Sequence, residues 1–173
     1  MVLDFEIDEL SRSIRNVETG EHCPTDVLPV TLDDLQQAVR KKGWKFDWKK
    51  EFDITKNVRK LTTKQSPTII QGLISYTEDD GFLYMDLIES APHNLGKNKH
   101  YEGIAGNLVA YVCMQSFIKG HDGFVCFDAK TQLIEHYKKA LGAFRIGSQR
   151  MAIETNAAKN LVRQYFPDFK FNN

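Results

Sequence analysis

FLYMDLIESAPHNLGKNKHYEGIAGNLVAYVCMQSFIKG, residues 82–120, decides how this chain folds. Its first stretch, Phe82 to Ser90, is apolar at nearly every position, with Phe82, Tyr84 and Ile88 on one side of an extended strand and Leu83, Met85 and Leu87 on the other. A strand apolar on both faces belongs in the middle of a sheet that is covered on both sides. The polar loop APHNLGKNKHYEG follows, and then the amphipathic run IAGNLVAYVCMQSFIKG, which stops at Gly120. This order puts Gly103, Ala105 and Gly106 where a loop turns into a helix, so the backbone there can approach a ligand without a side chain in the way. The free N–H groups of a first helical turn, with the helix dipole behind them, suit a diphosphate. Lys97, Lys99 and His100 add positive charge just upstream. Small residues at a helix start also let the helix pack tightly on a sheet, and both readings stand. The run has no Lys-Ser/Thr of a P-loop and no Gly-x-Gly-x-x-Gly, which argues against a nucleotide triphosphatase or a dehydrogenase.

Working outward, VRKLTT and TIIQGLISYT precede the central strand and are separated by KQSP and EDDG, the pattern of an antiparallel meander. After the helix come GFVCFDA as a buried strand and TQLIEHYKKALG as a helix from Thr131 to the stop at Gly142. FRIGSQRMAIE supplies one or two strands, and a last helix opens at Thr155 or Asn156 and ends before Pro167. Upstream, Thr31 caps LDDLQQAVRKKG, with Asp33 and Asp34 in the first turn, Lys41 and Lys42 in the last, and Gly43 as the stop. FEIDEL and the stretch from Ile14 to Val30 read as strand or irregular edge. Trp44, Phe46, Trp48 and Phe52 fit a period of two and a spacing of four equally. They either close one end of the core or line an acceptor pocket. The predicted fold is α/β (α+β), a central mixed, mostly antiparallel sheet flanked by helices on both faces.

The 173 residues carry 23 basic and 23 acidic side chains, so no global field favours nucleic acid or an anionic membrane. Cys23, Cys113 and Cys126 are odd in number and contain no Cys-x-x-Cys, which indicates neither a disulfide framework nor structural zinc. Cys113 and Cys126 sit among apolar neighbours and read as packing residues. His22, His93, His121 and His136 have no metal-ligand spacing, and no metal is predicted. His93 and Asn94 lie on the loop leading to the presumed diphosphate turn. MVLDFEIDEL lacks the basic start of a secretory signal, and no apolar stretch has membrane-spanning length, so a cytoplasmic location is expected.

His100-Tyr101-Glu102-Gly103-Ile104-Ala105 at a strand–loop–helix junction, followed by a second strand and Leu133-Ile134-Glu135-His136-Tyr137-Lys138-Lys139-Ala140-Leu141-Gly142-Ala143, resembles the acyl-CoA-binding half of the GNAT superfamily of N-acyltransferases. The resemblance covers about Thr68 to Glu154. That family's Arg/Gln-x-x-Gly-x-Gly/Ala turn is matched by Gly103 and Ala105, and its aliphatic pair by Leu108 and Val109. His100 stands at the Arg/Gln position, and Lys130 and Leu133 stand where the second motif usually has Asn and Ala. The length of 173 residues, with no dividing linker, reads as one domain over 1–173; the resemblance implies about 1–56 as its acceptor-side region and about 57–173 as the sheet and acyl-CoA-binding region.

It also implies an acyl-CoA-dependent N-acyltransferase with acetyl-CoA as cosubstrate, in which an amine, on a small molecule or a protein, attacks the thioester directly. Leu87, Ile88, Glu89, His100, Tyr101, Glu102, Gly103, Ile104, Ala105, Gly106, Asn107 and Tyr137 would contact acyl-CoA. Tyr137 would protonate the departing thiolate, its alternative being a tyrosine that packs its helix on the sheet. Glu89 and Asp86 are the candidate bases. Asp86 sits in an apolar strand that would raise its pKa, Glu89 at the strand end where the sheet would open. Three apart on a strand, they are expected on opposite faces, and Glu89 is favoured. Either could instead be a satisfied structural carboxylate. The rival from another class is a non-catalytic CoA-binding or protein-interaction domain. Nucleic-acid and membrane partners are not expected, and an edge strand leaves a homodimer open.

Overall fold

The structure is a computed structural model and describes residues 2–8 and 10–172. In chain order the elements are β1 (Val2–Leu3), β2 (Ile14–Asn16), β3 (His22–Cys23), β4 (Thr25–Pro29), α1 (Leu32–Gln37), α2 (Trp48–Thr55), β5 (Val58–Thr63), β6 (Gly72–Asp79), β7 (Phe82–Ser90), β8 (Tyr101–Glu102), α3 (Ile104–Ile118), β9 (Val125–Ala129), α4 (Ile134–Leu141), β10 (Phe144–Arg145), β11 (Arg150–Ile153) and α5 (Thr155–Tyr165). The main sheet runs β10-β11-β9-β7-β6-β5-β4, with β1 added against β9, and a small second sheet runs β3-β2-β8. β4 to β7 form an antiparallel meander, whereas β7 meets β9 in parallel across the α3 crossover. The sheet is mixed and mostly antiparallel, with helices on both faces. Leu108 of α3, Tyr137 of α4 and Leu161 of α5 share one apolar cluster with Leu83, Met85 and Ile88. Leu35 of α1 and Trp48 of α2 share the other with Leu73 and Leu87. Among the described residues no helix is long and apolar enough to cross a membrane.

Strand β7 departs from simple alternation. Ser75 pairs with Leu87 but the next residue, Tyr76, pairs with Met85, so Asp86 is an extra residue without a ladder partner. Such a bulge shifts the side-chain phase by one residue and sharpens the local twist. Leu83, Met85 and Ile88 consequently share the α3 face, and Leu87 turns to the α1–α2 face, the reverse of the grouping that strict alternation gives for Ile88 and Leu87.

The run from Leu32 to Gly43 is also not one helix. Thr31 and Asp34 form the expected capping box, but α1 ends at Gln37 and a 3-10 turn follows over Arg40–Lys42. Leu35, Ala38, Trp44 and Trp48 bury together, and the Trp44 N–H returns to the Val39 carbonyl at 3.4 Å. Helix propensity is a weak prior beside burying two indoles, and tertiary packing breaks the helix. Asp47 then caps α2 through the Lys50 N–H. Two further caps are placed differently: Thr131 opens a 3-10 turn ahead of α4, and Thr155 Oγ1 donates to the Asp122 carbonyl.

Gly106 faces α5. A Cβ there would fall well inside contact distance of the Tyr165 hydroxyl and crowd Leu10. Gly106→Ala is therefore expected to lower unfolding stability by about 1–3 kcal/mol, the usual range for overpacking, as measured by urea denaturation.

Candidate functional site

β7 and β9 stay together for only two residue pairs, Leu83 with Val125 and Tyr84 with Cys126. Past that point β9 turns the same edge to β1, pairing Asp128 with Val2 and Ala129 with Leu3 in parallel. The two central strands thus diverge, and the chain's segment 2–8 lies in the opening between them. Its alternation is that of a strand with one buried side: Leu3 and Ile7 are buried and Phe5 packs on the same cluster, while Asp4, Glu6 and Asp8 point outward.

The segment's contacts run the length of the opening. The Leu3 carbonyl accepts from the Lys130 N–H at 3.1 Å, and Asp4 forms ion pairs with Lys130 and Lys45. The Phe5 carbonyl accepts from the Tyr137 hydroxyl, and the two rings touch at 5.4 Å between centroids. The Ile7 N–H donates to His136 Nε2 at 2.8 Å, which fixes that nitrogen as an acceptor. At the far end Asp8 accepts from the Gly103 N–H at 3.2 Å and pairs with Lys99 at 3.2 Å.

Gly103 is the N-cap of α3 with φ at 89°, a left-handed conformation that glycine adopts without steric cost, and no side chain caps the helix from there. The Asp8 carboxylate, from a distant part of the chain, supplies the negative charge that a helix N-terminus attracts. Anion binding at this turn is thus a property the protein already uses. Of the neighbouring residues, Ile104 and Ala105 are buried in the core, and Asn107 points away to accept from the Thr25 hydroxyl at 3.0 Å. Gly106 is taken up by packing on Tyr165. Tyr101 and Glu102 belong to the small sheet, Glu102 paired with Arg15, and His100 stacks on His93 at 5.2 Å. The turn is therefore Gly103 with Lys99, and most of the residues between His100 and Asn107 build its frame.

Tyr137 is fully buried, with Phe5 on one side and Phe127 edge-on at 5.3 Å on the other. Burial pushes its phenol pKa well up, with the Phe5 carbonyl bond opposing, so the O–H stays protonated through the neutral range. Its ring packs in the core, as the packing reading expects, and its hydroxyl reaches the opening, where it donates to the Phe5 carbonyl.

The two carboxylates have different surroundings. The Asp86 bulge puts them on the same face, not on opposite ones: Asp86 bonds toward Thr77 and feels Glu51 of α2, and Glu89 meets the loop before α2. Glu89 accepts three N–H groups, from Lys45 at 2.6 Å, Phe46 at 3.3 Å and the Trp48 indole at 2.9 Å. It anchors the end of β7 to the α1–α2 layer. Asp86 keeps Oδ2 buried without a hydrogen-bond partner, and burial followed by the nearby Glu51 charge raises its pKa. Leu87, Ile88 and Glu89, with Phe46, Lys45 and the segment itself, line a cavity of about 350 Å³ beside the opening.

Trp44 and Trp48 belong to the core, whereas Phe46 lines the cavity. His93 and Asn94 both bond Gln71, and Asn94 Oδ1 accepts from the Tyr101 N–H, so they shape the loop. Burial, and next to it His100, lowers the His93 pKa. Cys113 is buried, its thiol pushed up to about 12. Among the described residues no group of His, Cys, Asp or Glu could hold a metal ion. Sequence reasoning did not find segment 2–8, Lys45, Lys130 or His136. The signal was there in VLDFEID, where apolar and acidic residues alternate with a strand period.

No protein-family model matches the chain, and no curated protein matches it in sequence. Solved structures do match in fold. The ribosomal-protein-S18-alanine N-acetyltransferase from Escherichia coli aligns with a TM-score of 0.53 at 13% identity, over 75% of this chain and 90% of that one. An acetyltransferase of the GNAT family from Staphylococcus aureus Mu50 gives 0.51 at 11%, over 76% and 99%. Spermidine N-acetyltransferase from Vibrio cholerae, in complex with CoA and spermine, gives 0.50 at 15%, over 79% and 98%. The fold is the GNAT fold.

The two carboxylates should respond oppositely to neutralisation. Glu89→Gln turns an NH₂ group toward N–H donors and should cost about 1–3 kcal/mol of stability in urea denaturation. Asp86 holds its proton more tightly folded than unfolded. Its contribution to stability is complete below its ordinary value of 3.8 and is lost as pH rises through the raised value. Asp86→Asn should therefore stabilise the protein at neutral pH, with the gain vanishing in acid.

Proposed function

With the GNAT fold as premise, we propose that this protein is an acyl-CoA-dependent N-acyltransferase that passes an acetyl group from acetyl-CoA to an amine. One observation carries the reading: the opening between β7 and β9 already holds an extended chain bearing amides, with an anion seated at Gly103 and Lys99 and a buried phenol donating midway. The pantetheine arm of CoA is such a chain, amide-bearing and ending in a diphosphate. The Gly103 N–H, the α3 dipole and Lys99 would hold the diphosphate, and the β9 edge at Ala129 and Lys130, where the segment now pairs, would pair with the arm. The thioester supplies an activated acyl carbon and a thiolate leaving group.

Tyr137 would give its proton to the sulfur as the C–S bond breaks. Its raised pKa keeps it in the neutral, protonated form at working pH. Proton removal from the attacking amine falls to Glu89, which lines the cavity, or to a water relay beside it; Asp86, with its uncommitted oxygen and raised pKa, lies outside that lining. Glu89 then fixes the wall formed by Lys45, Phe46 and Trp48, past which the acceptor would enter the cavity. A cytoplasmic location belongs to the same reading. The second reading, a non-catalytic CoA-binding or protein-interaction domain of this fold, is favoured by the same segment that fills the opening.

Release of free thiol from acetyl-CoA in the presence of a panel of amines separates the two, and absence of release with every amine at saturating acetyl-CoA would leave the binding-domain reading. In an active protein Tyr137→Phe should keep the ring packing and lower the rate constant for transfer by roughly 10²–10⁴-fold with little change in acetyl-CoA binding. The loss should be largest at high pH, where solvent is a poor substitute donor.

A further inference from the structure

The Gly103 turn with Lys99, the Tyr137 hydroxyl and the β9 edge, which hold and protonate acyl-CoA in the proposed reaction, are all engaged by the chain's own segment 2–8. We propose that this segment is an intramolecular competitor of acyl-CoA, a short strand that closes the cleft and must leave before acyl-CoA can enter. The inference rests on the acyl-CoA reading above and goes beyond it by assigning a role to residues that reading does not use.

Three features make the overlap specific. The Asp8 carboxylate sits on the Gly103 N–H and Lys99, the place of the diphosphate, so the two anions exclude each other by charge as well as volume. The Phe5 carbonyl takes the only proton Tyr137 can donate, and a tyrosine so engaged cannot serve a sulfur. Leu3 fills the β9 edge at Ala129 and Lys130, leaving no backbone partner there for an incoming amide.

The attachment is also of a kind that can be given up. β1 makes two ladder pairs with β9, and the acids that flank its buried residues are solvent-facing: Asp4 meets Lys45 and Lys130, whose side chains are 64% and 44% exposed. Exposed ion pairs hold little. Undocking would uncover Tyr137 and the apolar neighbours of Leu3, which water covers poorly and a pantetheine arm covers well. Because the competitor is tethered, its effective concentration is fixed and does not fall on dilution. Apparent acyl-CoA affinity is then the intrinsic affinity multiplied by the open fraction, so a cleft closed 90–99% of the time weakens binding roughly 10- to 100-fold.

The test uses the full chain and acetyl-CoA as the probe. Leu3 and Ala129 are Cα partners in the ladder and both buried, a spacing a disulfide can bridge. The double variant Leu3→Cys with Ala129→Cys, oxidised, should lose acetyl-CoA binding in calorimetry by roughly 100-fold or more and recover it on reduction, with the folded signal unchanged. Asp8→Asn, which removes the competing charge without shortening the side chain, should bind acetyl-CoA about 5- to 10-fold more tightly than the parent. Hydrogen exchange should speed up at residues 2–8 and slow at 103–107 when acetyl-CoA is added to the parent. An oxidised lock that binds as tightly as the parent would overturn the gating inference and leave the acyl-CoA reading intact. If the parent, the reduced double variant and Asp8→Asn all fail to bind, the acyl-CoA reading falls and the inference with it.

Discussion

The structure depends on β7 leaving β9 after Tyr84 and Cys126. A strand that parts from its neighbour exposes a row of N–H and C=O groups, and those groups need partners wherever water is kept out. From Asp128 onward the β9 edge faces the interior of the molecule, so something with its own donors and acceptors has to lie along it. The bulge at Asp86 is the counterpart on the other strand. One unpaired residue shifts the phase of the rest of β7, which stays paired with β6 through Ser90, and brings Asp86, Leu87 and Glu89 to positions that an unbroken strand would not give them. The cleft is therefore a product of strand geometry, and the side chains lining it are consequences of where the ladder stops.

Two carboxylates tie the α1–α2 layer to the sheet. Asp34 completes the capping box of α1 and also meets the buried Lys60 of β5 at 2.9 Å. Glu89 gathers the N–H groups of Lys45 and Phe46 and the Trp48 indole at the end of β7. A buried charge persists only where hydrogen bonds replace its water, and both acids meet that condition with groups from across the layer boundary. The position of the helices over the sheet, and with it one wall of the cavity, is set by polar contacts more specific than the apolar packing of Leu35, Trp44 and Trp48 beneath them. Loops fixed in this way hold side chains such as Phe46 at defined places over an otherwise adaptable core.

The meander, the central strand, the crossover helix and the glycine turn were legible because each has a local signature. A strand apolar on both faces, an antiparallel meander with turn residues, and a small-residue helix start can be read from a few neighbouring positions. What escaped was decided at long range. Asp86 cannot be recognised as a bulge from FLYMDLIES alone, since the register shift is defined only against Ser75 and Tyr76 on the next strand. The break after Gln37 follows from where Trp44 finds its cavity, although LDDLQQAVRKKG reads locally as one helix. Gly106 looked like a ligand-approach glycine and proved to be a contact point for Tyr165, because a glycine's reason for being small lies in whatever faces it. The acidic-apolar alternation of VLDFEID was visible, but its partner strand could not be named from sequence.

Segment 2–8 meets its partners late in the chain: Asp4, Ile7 and Phe5 reach residues 126, 129 and 132 positions away. Loop closure over that distance is entropically unfavourable until β9 and α4 are in place, so β1 joins a sheet that already exists. Folding order and native-state opening are then the same event seen from two directions. The last element to dock is the one whose release leaves the rest of the hydrogen-bonded framework whole, which places it at the low end of the ladder of local opening free energies. The β9 edge, Tyr137 and Gly103 are carried by β9, α4 and α3, which pack on one another and on β7 without the segment, so the walls of the cleft do not depend on their occupant.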